Sequence, residues 1–266
     1  MRKDGRLILV EGLCGTGKST LAERLQRHLA GQGILSEFYD EGAAGHPASL
    51  NWHAFFREEE YRTLLERYPD MADAIRSRAI QDGNRYLVPY REVEAFEASP
   101  ALYAELKARE LCWTDSPAAT PAEFTHAIQG QWARFAALAA ASERVYVLEA
   151  VFLQHQIHDL RGHYEADDGQ IEAHIRGIAG RIAALHPLLI YLSQPSVREQ
   201  QTWISGIRSK PHVAAEANIR RMENRKRIEL SLLDTLPFPA YTIESADRDW
   251  DDVYRRAVEA VGRHIG

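Results

Sequence analysis

The residues with the most direct chemical reading are Gly12, Leu13, Cys14, Gly15, Thr16, Gly17, Lys18 and Ser19, which satisfy the pattern G-x-x-x-x-G-K-[ST] at every position. Glycines at these turns let backbone N–H groups curl around phosphate oxygens without side-chain clash. Lys18 can reach the outer phosphates of a nucleoside triphosphate, and the Ser19 hydroxyl can ligate Mg²⁺. Thr20 carries the run into a helical segment whose positive N-terminal end faces the same anion. ATP with Mg²⁺ is therefore the expected cofactor, with the choice between ATP and GTP left open by the pattern.

Other candidates lie far from this loop in sequence. Glu149 ends an apolar run, and a carboxylate at the C-terminal end of a strand lies on the ligand-binding edge of an open α/β sheet. Ser19 and Glu149 are the expected pair flanking one Mg²⁺, directly or through water. Asp40 and Glu41 follow a second strand candidate, where one of them could take a proton from an attacking hydroxyl. His46 and His53 lie nearby and read as ordinary loop residues. A basic cluster, Arg208, Lys210, Arg220, Arg221, Arg225, Lys226 and Arg227, could close over the charge that phosphoryl transfer spreads on oxygens. Glu216, Glu223 and Glu229 are interleaved, so a solvated helix face is the competing reading. Arg220 and Arg221 are the preferred pair, with Arg225 next. Ser245-Ala246-Asp247 gives a weak signal for a turn that passes a purine base.

These residues need a scaffold, and the apolar pattern supplies one. Leu7-Ile8-Leu9-Val10 is a continuous apolar run, as in a strand buried on both faces of a parallel sheet. Leu21, Leu25 and Leu29 form one helix stripe, ended by Gly31 and Gly33. Further strands are expected at 34–39, 145–148, 188–192 and 240–243, with helices over 168–185, 196–236 and 249–264. The expected fold is α/β: a five-stranded parallel sheet with a P-loop after its first strand and a large helical insertion after the second. That insertion, 43–142, holds helical patterns at 58–68, 71–80, 100–111 and 121–141, with an extended interruption at 86–90. It carries Trp52, Trp113 and Trp132, suited to enclosing an organic acceptor. Residues 205–230 form a basic, lid-like segment within a single domain spanning 1–266.

Composition narrows the class. The chain has 266 residues, 45% of them hydrophobic, with a formal net charge of −6. That charge argues against a broad nucleic-acid footprint. Cys14 and Cys112 have no metal-ligand spacing, and a reducing cytoplasm is the simpler home. The apolar run after the basic N-terminal residues is too short for a signal core or a membrane span. No membrane or nucleic-acid partner is expected; a homodimer is left open.

Glu11-Gly12 through Thr20 resembles the opening of thymidylate kinase. Leu189-Ile190-Tyr191-Leu192 followed by Pro195 is similar to the fourth strand and next helix of thymidylate and deoxynucleoside kinases. Asp40-Glu41-Gly42, with Trp52 downstream, resembles the deoxynucleoside-kinase segment that carries a catalytic glutamate, and Glu149 resembles the acid after the third strand of those kinases. The whole chain looks most like a bacterial group of thymidylate-kinase-like P-loop NTPases. The resemblance implies a P-loop NTPase fold of the nucleoside/nucleotide-kinase type, and the phosphate donor. It departs at Ala150 and Val151, where those kinases place an arginine, and in the length of the insertion. The expected activity is transfer of a γ-phosphoryl group to a hydroxyl or phosphate of a nucleoside, a nucleotide or another metabolite such as an antibiotic. The alternative is a nucleotide-hydrolysing regulator acting on a protein partner. Against that stands the lack of Asn-Lys-x-Asp and of Asp-x-x-Gly after the third strand.

Overall fold

The computed structural model describes residues 5–43, 45–91 and 93–265. Residues 1–4 of the basic opening, Ala44 and Glu92 of the insertion, and Gly266 lie outside the described residues. The strands are β1 (Leu7–Gly12), β2 (Ser36–Tyr39), β3 (His53–Arg57), β4 (Ile80–Asp82), β5 (Arg85–Pro89), β6 (Val145–Glu149), β7 (Pro187–Ser193) and β8 (Ala240–Glu244). The helices are α1 (Lys18–Gly31), α2 (Glu58–Arg67), α3 (Ala72–Arg78), α4 (Glu94–Glu97), α5 (Pro100–Lys107), α6 (Pro121–Ala140), α7 (Gln154–Gly162), α8 (Asp168–Ile182), α9 (Val197–Arg208), α10 (Glu216–Leu233) and α11 (Trp250–Ile265). Among the described residues no helix is long and apolar enough to cross a membrane.

The chain divides into two compact units. The first comprises Met1–His46, Ala133–Ile157 and Asp168–Gly266 and holds a five-stranded sheet in the order β2-β6-β1-β7-β8, every pairing parallel. Leu7 to Val10 are buried because β1 has a strand on each side and helices cover the sheet. The leucine stripe of α1 packs with Ile8, Val10, Val147, Ile190 and Val261 in one core. Each such side chain contributes about 1.5–3 kcal/mol relative to leaving it in water. β2 does not pair with β1: β6 stands between them, so Glu149 pairs with Val10 in the centre of the sheet. The C-terminal strand ends still carry Glu41 and Glu149 to the same edge.

The second unit comprises Pro47–Trp132 and His158–Asp167. Its helices enclose a three-stranded antiparallel sheet, β3-β5-β4; β5 coincides with the extended interruption expected at 86–90, whereas β3 and β4 were not expected. Ala54, Phe55 and Phe56 are all buried, so β3 has no alternation to betray a strand, and β4 is only three residues long. Tyr61 of α2 stacks on Tyr86 of β5 with ring centroids 4.0 Å apart and planes within 5°. Arg57 makes a two-pronged contact with Glu123, at 2.9 and 2.6 Å. Of the three tryptophans expected to line an acceptor pocket, Trp132 is fully buried, Trp52 lies under the Arg91 guanidinium and Trp113 is exposed.

Candidate phosphate-binding site

The loop between β1 and α1 is shaped by what packs against it. Gly12 has φ 137°, and a Cβ there would lie 2.3 Å from the Leu192 carbonyl oxygen of the neighbouring strand. Gly17 has φ 87°, and a Cβ would meet the Trp250 ring at 2.6 Å. Both positions therefore exclude any side chain. The Thr16 hydroxyl donates to the Leu13 carbonyl at 2.8 Å, latching the loop internally, while the Gln200 amide donates to the Gly15 carbonyl at 2.7 Å. Leu13 is buried against Val197 and Met222.

Lys18 is buried at the centre of the site. Its ammonium donates to the Leu13 carbonyl at 3.1 Å and lies 3.7 Å from Glu149 Oε1. Burial pushes the Glu149 carboxyl up from the ordinary range, opposed by Lys18 and reinforced by Glu41. The other Glu149 oxygen accepts the Glu41 N–H at 3.4 Å. Glu41 Oε2 accepts the Gln154 amide at 2.7 Å and faces His155 Nε2 at 3.3 Å. Its carboxyl is shifted down, chiefly by His155 and against the pull of burial. Gln154 also faces Cys14 Sγ at 3.7 Å and Arg225 at 3.4 Å. Arg225 is buried, with its Nε 2.9 Å from the fully buried Glu229, and Glu229 accepts the Tyr191 hydroxyl at 2.7 Å.

Glu11 supports this cluster from beneath. It is fully buried and accepts the N–H groups of Phe152, at 2.7 Å, and Gln154, at 3.1 Å. Burial raises its carboxyl to about 7 against those donors. The turn it holds contains Ala150 at φ 63°, which bends the chain after β6 and starts α7 with Gln154 and His155.

The structure thus brings Lys18, Glu41, Glu149 and the loop together. It leaves Asp40 out: that residue is exposed, and its carboxylate accepts the Gly42 N–H at 2.8 Å, closing a local turn. Arg220 and Arg221 are also outside the cluster, exposed on the outer face of α10, with Arg221 bonded to Asn218. Helix phase separates them from Arg225, which lies on the buried face with Met222 and Glu229. Ser19 and Thr20 are exposed and line a pocket of about 320 Å³ with Trp203, Ile207, Arg208 and Trp250. Arg248, at φ 58°, lays its guanidinium 4.5 Å from the Trp203 ring. Gln154, His155, Gln200, Trp203, Glu229 and Trp250 were not legible as site residues. A Gln-His pair five residues past a strand-end acid was the only available signal.

Among solved structures, thymidylate kinase from Candida albicans aligns over 97% of this chain and 92% of its own, at 14% identity and a TM-score of 0.49. Thymidylate kinase from Ehrlichia chaffeensis aligns over 97% and 98%, at 8% identity and a TM-score of 0.42. No protein-family model matches the chain, and no curated protein does. The parallel five-stranded sheet, flanked by helices and with the glycine loop at the end of its central strand, is an α/β fold of the P-loop NTPase type.

Proposed function

We propose that this protein is an ATP-dependent phosphotransferase that moves a γ-phosphoryl group to a hydroxyl or phosphate of a small molecule, within the class of nucleosides, nucleotides and related metabolites. The observation that carries the reading is the grouping of Lys18, Glu149, Glu41 and Gln154 in one cluster beside the glycine loop. A kinase needs a cation for the transferring group and a carboxylate to orient the acceptor, and the cluster supplies both.

The donor fits the residues present. The loop offers backbone N–H groups, and the Lys18 ammonium, held by a carbonyl, can exchange that acceptor for phosphate oxygens, a stronger charge-assisted bond. The pocket beside Ser19 and Thr20, walled by Trp203 and Trp250, suits a flat purine. Hard oxygen donors at Ser19 and Glu149 fit Mg²⁺, which would supply charge neutralisation between the outer phosphates. Glu41, kept ionised by His155, accepts a hydrogen bond from the acceptor hydroxyl and fixes its line of approach. Arg225 and Gln154 stabilise charge on the oxygens around the transferring phosphorus. The basic stretch 205–230 would close over the phosphates. It contains a break at Ser209, with φ 52°, where α9 ends.

An acceptor screen with γ-labelled ATP over nucleosides, nucleotides, aminoglycosides and other hydroxylated metabolites tests this. Slow hydrolysis by the protein alone is expected, with acceleration of about a hundredfold or more by one acceptor and label recovered on it. Release of free phosphate stimulated by a protein partner, with no labelled metabolite, would refute the proposal.

A further inference from the structure

In the second unit, the last turn of α7 presents His158 and Asp159, and His163 follows immediately after the helix. The chain turns back there, with the His163 N–H donating to the Asp159 carbonyl at 2.8 Å. One ligand atom from each of the three side chains lies within 4.8 Å of the other two. The imidazole rings of His158 and His163 stand at 74° with centroids 5.2 Å apart, and Trp113 covers the other side of His158 at 4.2 Å.

We propose that His158, Asp159 and His163 bind a divalent first-row transition metal, with Zn²⁺ the best match, independently of the phosphotransfer reading. Two features of the arrangement call for such a ligand. His163 Nε2 is buried and has no hydrogen-bond partner among the described residues, although the Asp159 carboxylate is 4.0 Å away. A buried, unsatisfied ring nitrogen is uncommon, and an ion is one of the few groups that explains it. Asp159 is 1% exposed, and among the described residues its carboxylate accepts the neutral Trp113 N–H, at 2.9 Å, and the Cys112 thiol, leaving a buried ligand oxygen 4.0 Å from the His163 ring.

Ligand chemistry selects the metal. Two imidazoles and one carboxylate suit Zn²⁺ and its neighbours, whereas Mg²⁺ and Ca²⁺ take oxygen shells. At bond lengths of about 2.0–2.2 Å the ligand atoms of a tetrahedral shell sit about 3.4 Å apart, so the side chains need to close by about 1 Å. Asp115 lies 3.6 Å from Nδ1 of His163, the nitrogen facing away from Asp159. A carboxylate on the second ring nitrogen of a ligating histidine fixes its tautomer and raises its basicity. The fourth position falls to water or to Cys112, a buried thiol already bonded to Asp159. Because residues 112–115 and 158–163 come from distant parts of the chain, the ion would tie the two segments of this unit together.

The test uses the full chain, stripped with chelator and titrated with Zn²⁺ against a competing indicator, and with Co²⁺ followed by visible absorption. One Zn²⁺ per chain and the intense ligand-field bands of four-coordinate Co²⁺ are expected, with a sulfur charge-transfer band only if Cys112 ligates. His158→Asn and His163→Asn should each weaken Zn²⁺ binding at least tenfold and abolish the Co²⁺ bands, and Asp115→Asn should weaken binding a few-fold. Glu149→Gln, which alters the proposed Mg²⁺ position, should leave Zn²⁺ affinity unchanged. Equal affinity in the wild type and the folded histidine variants would overturn the proposal. Should those variants fail to fold, the wild type decides: weak six-coordinate Co²⁺ bands, or no saturable site, would overturn it equally.

Discussion

The glycine loop and the carboxylate–amide cluster beside it share Lys18 but are built in opposite ways. The loop is one continuous stretch, residues 12–19, whose shape follows from its own glycines and from the bulk of Leu192, Ile204 and Trp250 around them. The cluster draws Glu41, Glu149, Gln154, His155 and Arg225 from four separate elements or loops, and only folding brings them together. A site coded locally announces itself in sequence, and a site coded by topology does not.

Lys18→Ala strikes both halves and should have the largest effect. Loss of a charge aimed at the transferring group is expected to lower kcat/KM for ATP-dependent transfer about a thousandfold, or to background. A far-ultraviolet spectrum should show the fold intact, and near-normal turnover in a folded variant would remove the loop from the chemistry. The distributed half is sharpened by Arg225→Lys, set against Arg220→Ala and Arg221→Ala. The buried guanidinium meets both Gln154 and Glu229, a geometry that an ammonium cannot reproduce, so about a hundredfold loss of kcat is expected. The two exposed arginines should change kcat by less than about threefold. An equal loss at Arg220 or Arg221 would place the outer face of α10 against the substrate, as closure of the basic segment could do.

Glu11→Gln probes the join between the halves and should have the smallest effect, on stability. The Glu11 carboxyl titrates near the ordinary 4.5 when unfolded and is raised by burial to about 7 when folded. Its contribution is therefore complete below pH 4.5 and is lost as pH rises through 7. Glutamine does not titrate, so wild-type stability relative to the variant should fall by about 2 kcal/mol between pH 5 and 7. Denaturant unfolding at several pH values measures this, and a pH-independent difference would show that the backbone donors keep Glu11 ionised throughout.

Much of the first unit was legible because its strands are apolar runs and its first helix a leucine stripe. The position of β2 was not, since nothing in residues 36–39 says that a strand from 145–149 will pair with them. Glu41 and Glu149 stood out by their place at strand ends, but Asp40, adjacent and of the same chemistry, spends its carboxylate on the Gly42 N–H. Arg225 is one helical turn from Arg221, and the interleaved acids hid which face was inward. In the second unit Asp82-Gly83 marks a hairpin turn, with Gly83 at φ 60°, yet β4 is only three residues long and β5 buries two adjacent residues, Leu87 and Val88, so neither shows a period of two.

The strand order has a consequence for synthesis. β1 leaves the ribosome first, but both of its partners, β6 and β7, lie beyond the stretch 47–132. At about 5–20 residues per second, the glycine loop waits on the order of ten seconds for the strands that will hold it. Most of the second unit is emitted in that interval, and its local pairings close short loops. The nascent chain should therefore gain protease resistance in 47–132 before it can retain a nucleotide. Its apolar Leu7–Val10 run is meanwhile the segment most in need of a chaperone.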